Sequence, residues 1–121
     1  MSDLRIDIMQ TRQGFLVRFG GEGGYLAGDA LQGRLTPLMA HRPQLVVFDL
    51  AELALVASLV LGVLVGFRRA LARHGGQVKL ACLQPAVRET FQTAGLLGLF
   101  EVTATLDEAL SVNGEPADSI S

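Results

Sequence analysis

Ser58 is the residue with the clearest chemical potential. It lies in the stretch Leu45 to Arg69, where one apolar run ends at Asp49 and a second begins at Leu59. This pattern predicts a buried strand, a loop and a buried helix that begins at Ser58. Serine is favoured at a helix N-cap because its hydroxyl accepts a hydrogen bond from an unpaired amide of the first turn. The same amides and the helix dipole favour an anion, so Ser58 is both a predicted N-cap and a candidate phosphoacceptor.

Other reactive groups are sparse. The two histidines have no Cys, Asp or Glu neighbour at metal-ligand spacing, so we expect no metal site. A Ser-His-Asp arrangement that uses Ser58 and Asp49 stays open, although Ser58 lacks the Gly-x-Ser-x-Gly elbow. The run Gly20 to Gly24 lacks the Lys-Ser/Thr ending of a phosphate loop and the spacing of a dinucleotide fingerprint. Cys82 lies in an apolar stretch and is predicted to be an inert core residue. We therefore expect no enzyme and no cofactor.

The composition predicts one folded domain. Half of the 121 residues are hydrophobic and only 18% are charged, which is typical of a compact globule. With a net charge of −2, the chain lacks the excess of positive charge that attracts nucleic acid or an anionic membrane. The single cysteine fits a reducing compartment, although it could also pair between chains. The start of the chain has no apolar core of a signal peptide, and the uncharged run 53–67 is too short to span a bilayer. We expect a cytoplasmic protein that does not insert into membranes.

The N-terminal half predicts a hairpin followed by a helix. Apolar residues alternate from Leu4 to Ile8, a turn follows, and Phe15 to Phe19 forms a second strand. The glycine run 20–24 is predicted to be a loop. From about Leu26, apolar residues recur at helical spacing as far as Met39, and Pro37 is expected to kink or stop that helix.

The second half alternates helices and strands. The helix after Ser58 is apolar nearly all round, and Gly62 and Gly66 in it are expected to permit close packing on a neighbouring element. A glycine cap at residues 74–76 ends it. A strand over 78–83, a helix from Pro85, an edge strand over 100–102 and a final helix opened by a capping box at Thr105 follow. The predicted fold is α/β: one mixed sheet, with an N-terminal hairpin and then parallel strands, packed with about four helices. The domain covers 1–112 and a polar, flexible tail 113–121.

An ordered set of short motifs resembles the STAS domain family, most closely the bacterial anti-sigma factor antagonists. In that family an apolar strand ends in Asp or Asn, and Asp-Ser/Thr-Ser/Thr-Gly opens the next helix. Gly21-Glu22 corresponds to a Gly-Glu pair that the family often has after its second strand. The other matching segments, in order, are Phe48-Asp49-Leu50, Gly75-Gly76-Gln77-Val78, Pro85-Ala86-Val87-Arg88, Gly95-Leu96 and Leu99-Phe100-Glu101-Val102.

The resemblance implies a binding module that switches partners. Such a module docks an anti-sigma factor or related Ser/Thr kinase and frees a sigma factor, and Ser58 matches the serine that the family has phosphorylated. Around it, Ala57 replaces Asp, Leu59 replaces the second hydroxyl residue and Val60 replaces Gly, while Gly24 replaces a loop acid. Ser58 as a plain N-cap and Ser58 as phosphoacceptor both stay open. The predicted partner-binding residues are Gly21, Glu22, Gly23, Gly24, Ala57, Ser58, Leu59 and Val60.

The apolar residues around Ser58 also favour a second interpretation. The chain would then be a STAS scaffold that binds partners without phosphorylation, as a subunit of a signalling assembly or an accessory subunit of a lipid ABC transporter. A homodimer is compatible with either interpretation.

Overall fold

A computed structural model describes residues 4–111 of the chain, with the side chain of Tyr25 excepted. The predicted tail, residues 113–121, lies outside this range. The strands are β1 Leu4–Gln10, β2 Gly14–Gly23, β3 Leu45–Val56, β4 Gln77–Ala81 and β5 Glu101–Thr103. The helices are α1 Gly28–Leu35, α2 Ser58–Ala72, α3 Pro85–Thr93 and α4 Leu106–Leu110. Short 3-10 helices cover Tyr25–Ala27, Thr36–His41 and Leu97–Leu99.

The sheet confirms the predicted fold class. Its five strands lie in the order β1-β2-β3-β4-β5. The first pair is antiparallel and the other three pairs are parallel. The hairpin turns between Thr11 and Gly14, where the Thr11 N–H donates to the Gly14 carbonyl at 2.8 Å. The mixed sheet and its four helices are therefore as predicted.

Two apolar clusters hold the helices on the sheet. The larger one joins α1, α2 and α3 to one face, with Phe19, Phe48 and Phe91 among its fully buried side chains. The smaller one joins α4 to the other face through Ala109. Lys79 also faces α4, where its Nζ donates to the Ser111 carbonyl at 3.1 Å and lies 3.2 Å from Glu101 Oε2. Burial of apolar area on both faces thus fixes β3 and β4 as the centre of the domain.

The predicted helix from Leu26 to Met39 is interrupted where proline requires it. Regular α-helix is confined to α1, and residues Thr36–His41 form a 3-10 turn that contains Pro37. Proline cannot donate a backbone hydrogen bond, and its ring clashes with the preceding turn of an α-helix. The expected stop is confirmed.

Two predicted loops are instead strand. The glycine run was expected to be a loop, but residues 20–23 belong to β2 and pair with β1 and β3. The segment after Asp49 also stays extended, because β3 continues to Val56. At Gly20 the absent side chain leaves space for Arg5: a Cβ there would lie 2.6 Å from Arg5 Nη2, and the Arg5 side chain crosses the strand at that point and reaches within 3.9 Å of Glu52. Glycine serves the strand here by leaving space.

The glycines of α2 also differ from their prediction. Gly62 and Gly66 were expected to pack closely on a neighbour, but both are exposed, and a Cβ on either would meet no atom within 4 Å. The predicted glycine cap at the end of this helix is confirmed. Gly75 has φ 79°, and the Gly76 N–H donates to the Leu71 carbonyl at 3.0 Å.

Candidate functional site at the end of the central strands

A buried carboxylate shapes β3 where it approaches Ser58. Asp49 is 6% exposed and accepts a hydrogen bond from Arg18 Nε at 3.1 Å. Its second oxygen accepts from the Ala51 N–H, also at 3.1 Å. Arg18 lies opposite Asp49 but Gly20 lies opposite Glu52, so β3 contains one extra residue here. The Asp49 carboxylate thus stabilises a bulge that bends the end of the strand.

The chain passes from β3 to α2 through Ala57 alone. The Ala57 N–H donates to the Gly23 carbonyl at 2.7 Å, and the Ala57 carbonyl accepts from the Val60 and Leu61 amides at 3.0 Å each. With φ −89° and ψ 162°, Ala57 is the N-cap, and no side chain caps the helix. The prediction that Ser58 is the N-cap is therefore wrong. Ser58 is the first helical residue, and it is exposed.

The structure brings the two predicted partner-binding segments together. Gly23 ends β2 beside Val56 at the end of β3, and a Cβ on Gly23 would lie 3.6 Å from the Val60 methyl groups. Glu22, Ser58 and Leu59 are exposed, while Gly21, Gly24 and Ala57 are half-buried. Gly23 and Val60 are buried, so they support this surface from beneath.

Two leucines that were not predicted complete the exposed surface. Leu26 is 70% exposed and Leu55 is 48% exposed, close to the 51% of Leu59. Leu26 and Leu59 line one cavity of about 330 Å³, and Leu55 pairs with Glu22 across β3 and β2. The sequence could have identified Leu55 if the segment after Asp49 had been predicted as a strand. Side chains alternate between the two faces of a strand, so Leu55 and the buried Val56 would then have been placed on opposite faces. We call Glu22, Leu26, Leu55, Ser58 and Leu59 the junction patch.

The histidines are too far from Ser58 to activate its hydroxyl. His41 packs edge-on against Phe15, with ring centroids 5.4 Å apart, at the amino end of β2. Ser58 lies at the opposite end of the strands, beyond Gly23. His74 follows the far end of α2, about 24 Å from Ser58 at 1.5 Å per helical residue. The Ser-His-Asp arrangement that the sequence left open is therefore not formed.

Cys82 and the acidic residues do not form a reactive cluster. Cys82 is half-buried, less than its predicted core position, and has φ 62°. Burial, and secondarily the Asp49 carboxylate, raise the pKa of its thiol, so the reactive thiolate is disfavoured at neutral pH. Across residues 4–111 no three His, Cys, Asp or Glu side chains are grouped to hold a metal ion. The arrangement around Ser58 offers a hydroxyl, the amides of a helix terminus and an apolar surface.

The STAS domain family matches residues 6–109, nearly the whole of the described chain. The chain belongs to this family. None of the helices in residues 4–111 has both the length and the apolar character needed to cross a bilayer.

Solved structures share the fold. An anti-sigma factor antagonist from Mycobacterium paratuberculosis superposes with a TM-score of 0.80 at 24% identity, covering 88% of this chain and 91% of that one. The Bacillus cell fate determinant SpoIIAA in its phosphorylated form gives 0.69 at 23% identity, covering 88% and 96%. A sulfate transporter family protein from Wolinella succinogenes gives 0.68 at 15% identity, covering 78% and 80%. The STAS fold is thus shared by proteins with different names and roles.

Proposed function

We propose that this chain is an anti-sigma factor antagonist that docks an anti-sigma factor or a related Ser/Thr kinase through the junction patch, and that phosphorylation of Ser58 controls docking. One observation carries the proposal: an exposed serine opens α2 amid exposed leucines, at the joined ends of β2 and β3. Docking on the anti-sigma factor would free a sigma factor. This role places the chain in the bacterial cytoplasm.

The exposed leucines supply the apolar part of the proposed interface. Leu26, Leu55 and Leu59 are large side chains that remain about half or more exposed in the folded chain. A partner that covers them removes apolar area from water, and because only their exposed 48–70% remains to be buried, each leucine contributes about 0.7–2 kcal/mol to binding before ordering costs. Glu22 stands beside Leu55 and gives the interface a polar rim.

A phosphate on Ser58 would change this surface without unfolding the chain. The first amides of α2 face that end of the helix, and none is capped by a side chain, so the domain tolerates negative charge there. In the complex the same phosphate would place about two negative charges among leucines, where a missing counter-charge costs several kcal/mol. The partner kinase would supply ATP and the chemistry of transfer. This chain would supply only the acceptor hydroxyl.

A permanent scaffold or accessory subunit is the second candidate function. The supporting observation is the apolar character of the patch, in which Ser58 is the only hydroxyl and Glu22 the only charge. In this case the chain would serve a signalling assembly or a lipid ABC transporter, and Ser58 would stay unmodified. The Wolinella structure adds that a sulfate transporter family protein shares this fold.

Variants of Ser58 separate the two functions. The measurements are the Kd for the cognate anti-sigma factor or kinase, and the incorporation of phosphate from that kinase and ATP. We expect Ser58→Ala to bind normally and Ser58→Asp to fold normally but bind at least about tenfold more weakly. Thr93→Asp, at an exposed residue at the end of α3, is the matched control and should bind normally. Normal stability and affinity of Ser58→Asp, with no phosphate incorporated, would refute the switch and leave the scaffold.

A second set of variants tests the location of the interface for either function. Glu22→Lys and Leu55→Asp should weaken partner capture, while Glu22→Lys leaves the melting temperature nearly unchanged because an exposed charge contributes little to folding. Glu89→Lys on α3 is the control for added positive charge, since Glu89 is exposed and lies on another element. Unchanged capture by both patch variants would place the interface elsewhere.

A further inference from the structure

A polar cavity of about 380 Å³ lies at the amino end of the parallel strands. Residues 10–15, around the turn between β1 and β2, form one wall, and residues 41–44, which lead into β3, form the other. We call this cavity the amino-end pocket. Arg12 and Arg42 line it, and no aspartate or glutamate is among the described residues that do. Its volume is in the range of protein pockets that hold small molecules, and its charge suits an anion.

Backbone contacts hold the two walls of the amino-end pocket together. The Gln13 carbonyl accepts from the Gln44 N–H at 2.8 Å and from the Leu45 N–H at 3.2 Å. The walls are also packed closely, because a Cβ on Gly14 would lie 2.7 Å from Pro43 Cβ. The two segments that carry the arginines are therefore fixed relative to each other before any ligand enters. Such preorganisation lowers the ordering cost of binding.

Arg42 has a backbone conformation that arginine rarely adopts. Its φ is 47° and its ψ is 55°, in the left-handed region that favours glycine or asparagine. The residue is exposed, and its guanidinium makes no ion pair or hydrogen bond within residues 4–111. The folded chain thus keeps an arginine where glycine would be less strained, although the side chain contributes no polar contact to the fold. A strained residue of this kind points to a function for its side chain.

The donors that line the amino-end pocket match a phosphate group. A guanidinium presents N–H donors in a planar fork that fits two phosphate oxygens, and the pocket has one guanidinium on each wall. Two such cations balance the charge of about −1.5 to −2 that a phosphomonoester carries at neutral pH. The Thr11 oxygen accepts from the Gly14 N–H at 3.1 Å, so the Thr11 proton is available to donate into the same cavity.

We propose that the amino-end pocket binds the phosphate group of a small ligand, as the free ion or as a phosphomonoester. Arg12 and Arg42 would hold the phosphate oxygens from the two walls, with Thr11 as a neutral donor. The chain as a whole has a net charge of −2, so an extended polyanion would meet repulsion beyond the pocket. This charge distribution favours a small ligand over a nucleic acid.

The amino-end pocket is remote from Ser58. Strand β2 begins at Gly14 in the pocket and ends at Gly23, whose carbonyl accepts from the Ala57 N–H. Its ten residues place these ends about 30 Å apart, at about 3.3 Å per residue. The proposed ligand site is therefore separate from the junction patch, and it does not depend on the function proposed for Ser58.

The test is an NMR titration of the isotope-labelled chain with inorganic phosphate, glycerol 3-phosphate and glycerol. Both phosphate probes should produce saturable shifts of the backbone amides in residues 10–15 and 41–45, with a Kd of about 1 mM or lower, and glycerol should produce none. A Kd for glycerol 3-phosphate at least about tenfold below that for phosphate would assign the pocket to a phosphomonoester. Equal values would assign it to the free ion.

Variants of Arg42 separate a binding role from a structural one. Arg42→Gly should keep or raise the melting temperature, because glycine adopts φ 47° without strain, but it should weaken phosphate binding by about tenfold or more. Arg42→Gln should weaken binding similarly, while Arg42→Lys should retain more affinity because it keeps the charge. Arg88→Gln is the control for loss of an exposed arginine on another element, and it should bind as the wild type does.

Four results would overturn the proposal. They are the absence of saturable shifts with both phosphate probes up to about 20 mM, shifts confined to residues outside the pocket, wild-type affinity in both Arg42→Gly and Arg42→Gln, and equal shifts with sodium chloride at matched ionic strength. A phosphoserine peptide that binds where both small probes fail would assign the pocket to a protein partner instead.

Discussion

A substitution at Ala57 tests how α2 begins. Ala57 has the extended backbone of an N-cap but no side-chain oxygen to accept from the first amides of the helix. Ala57→Asp should supply that acceptor, and Asp also carries the charge that a helix N-terminus favours. N-cap substitutions of this kind change stability by about 0.5–2 kcal/mol. Ala57 is half-buried, so some desolvation of the carboxylate opposes the gain, and we expect about 1 kcal/mol of stabilisation.

Two further alanine substitutions calibrate this value. Thr105 is a true N-cap, because its Oγ1 accepts from the Glu108 N–H at 3.2 Å, and Thr105→Ala should lose about 1 kcal/mol. Ser58 is exposed and caps nothing, so Ser58→Ala should change stability by less than about 0.5 kcal/mol.

Urea unfolding followed by circular dichroism measures all three variants, with unchanged m-values as the check for two-state behaviour. For Ala57→Asp the expected gain corresponds to a rise in Tm of about 3–6 °C. If Ser58→Ala lost as much as Thr105→Ala, or if Ala57→Asp lowered stability, α2 would begin one residue later than described. The Ser58 hydroxyl would then be its cap.

Two other predictions concern backbone space and thiol reactivity. Gly14→Ala should destabilise the chain by more than about 2 kcal/mol in the same unfolding assay, because its Cβ would clash with the Leu45 carbonyl oxygen and lie 2.7 Å from Pro43 Cβ. An unchanged unfolding midpoint would mean that the start of β2 shifts freely. Cys82 should react with a disulfide reagent more slowly than free cysteine at pH 7.5, because burial and Asp49 raise the pKa of the thiol. The reaction rate should rise with pH, and it should also rise in the Asp49→Asn variant. Because the thiol pKa is higher in the folded chain than in the unfolded chain, the free energy of unfolding should fall as the pH rises through the pKa of the folded chain. Equal rates for wild type and Asp49→Asn would remove Asp49 as a cause.

The elements that the sequence predicted well are those with strong periodicity or punctuation. Alternation located β1, Pro37 ended α1, and the Thr105 capping box opened α4 as expected. Each of these signals acts within a few residues of its own position. The mixed sheet, with a hairpin and then parallel strands, was predicted too, because a hairpin followed by alternating helices and strands allows few topologies.

The predictions that failed depended on contacts distant in the chain. The glycine run signals backbone freedom, but the sequence does not show that the Arg5 side chain of β1 passes over Gly20 inside a strand. The bulge at Asp49 requires Arg18, which is 31 residues away. The helix α2 begins at Ser58 as predicted, but its N-cap is Ala57, whose amide is held by the Gly23 carbonyl of β2. Local pattern identified the right segment for the site, while cross-strand contacts decided which side chains are exposed in it.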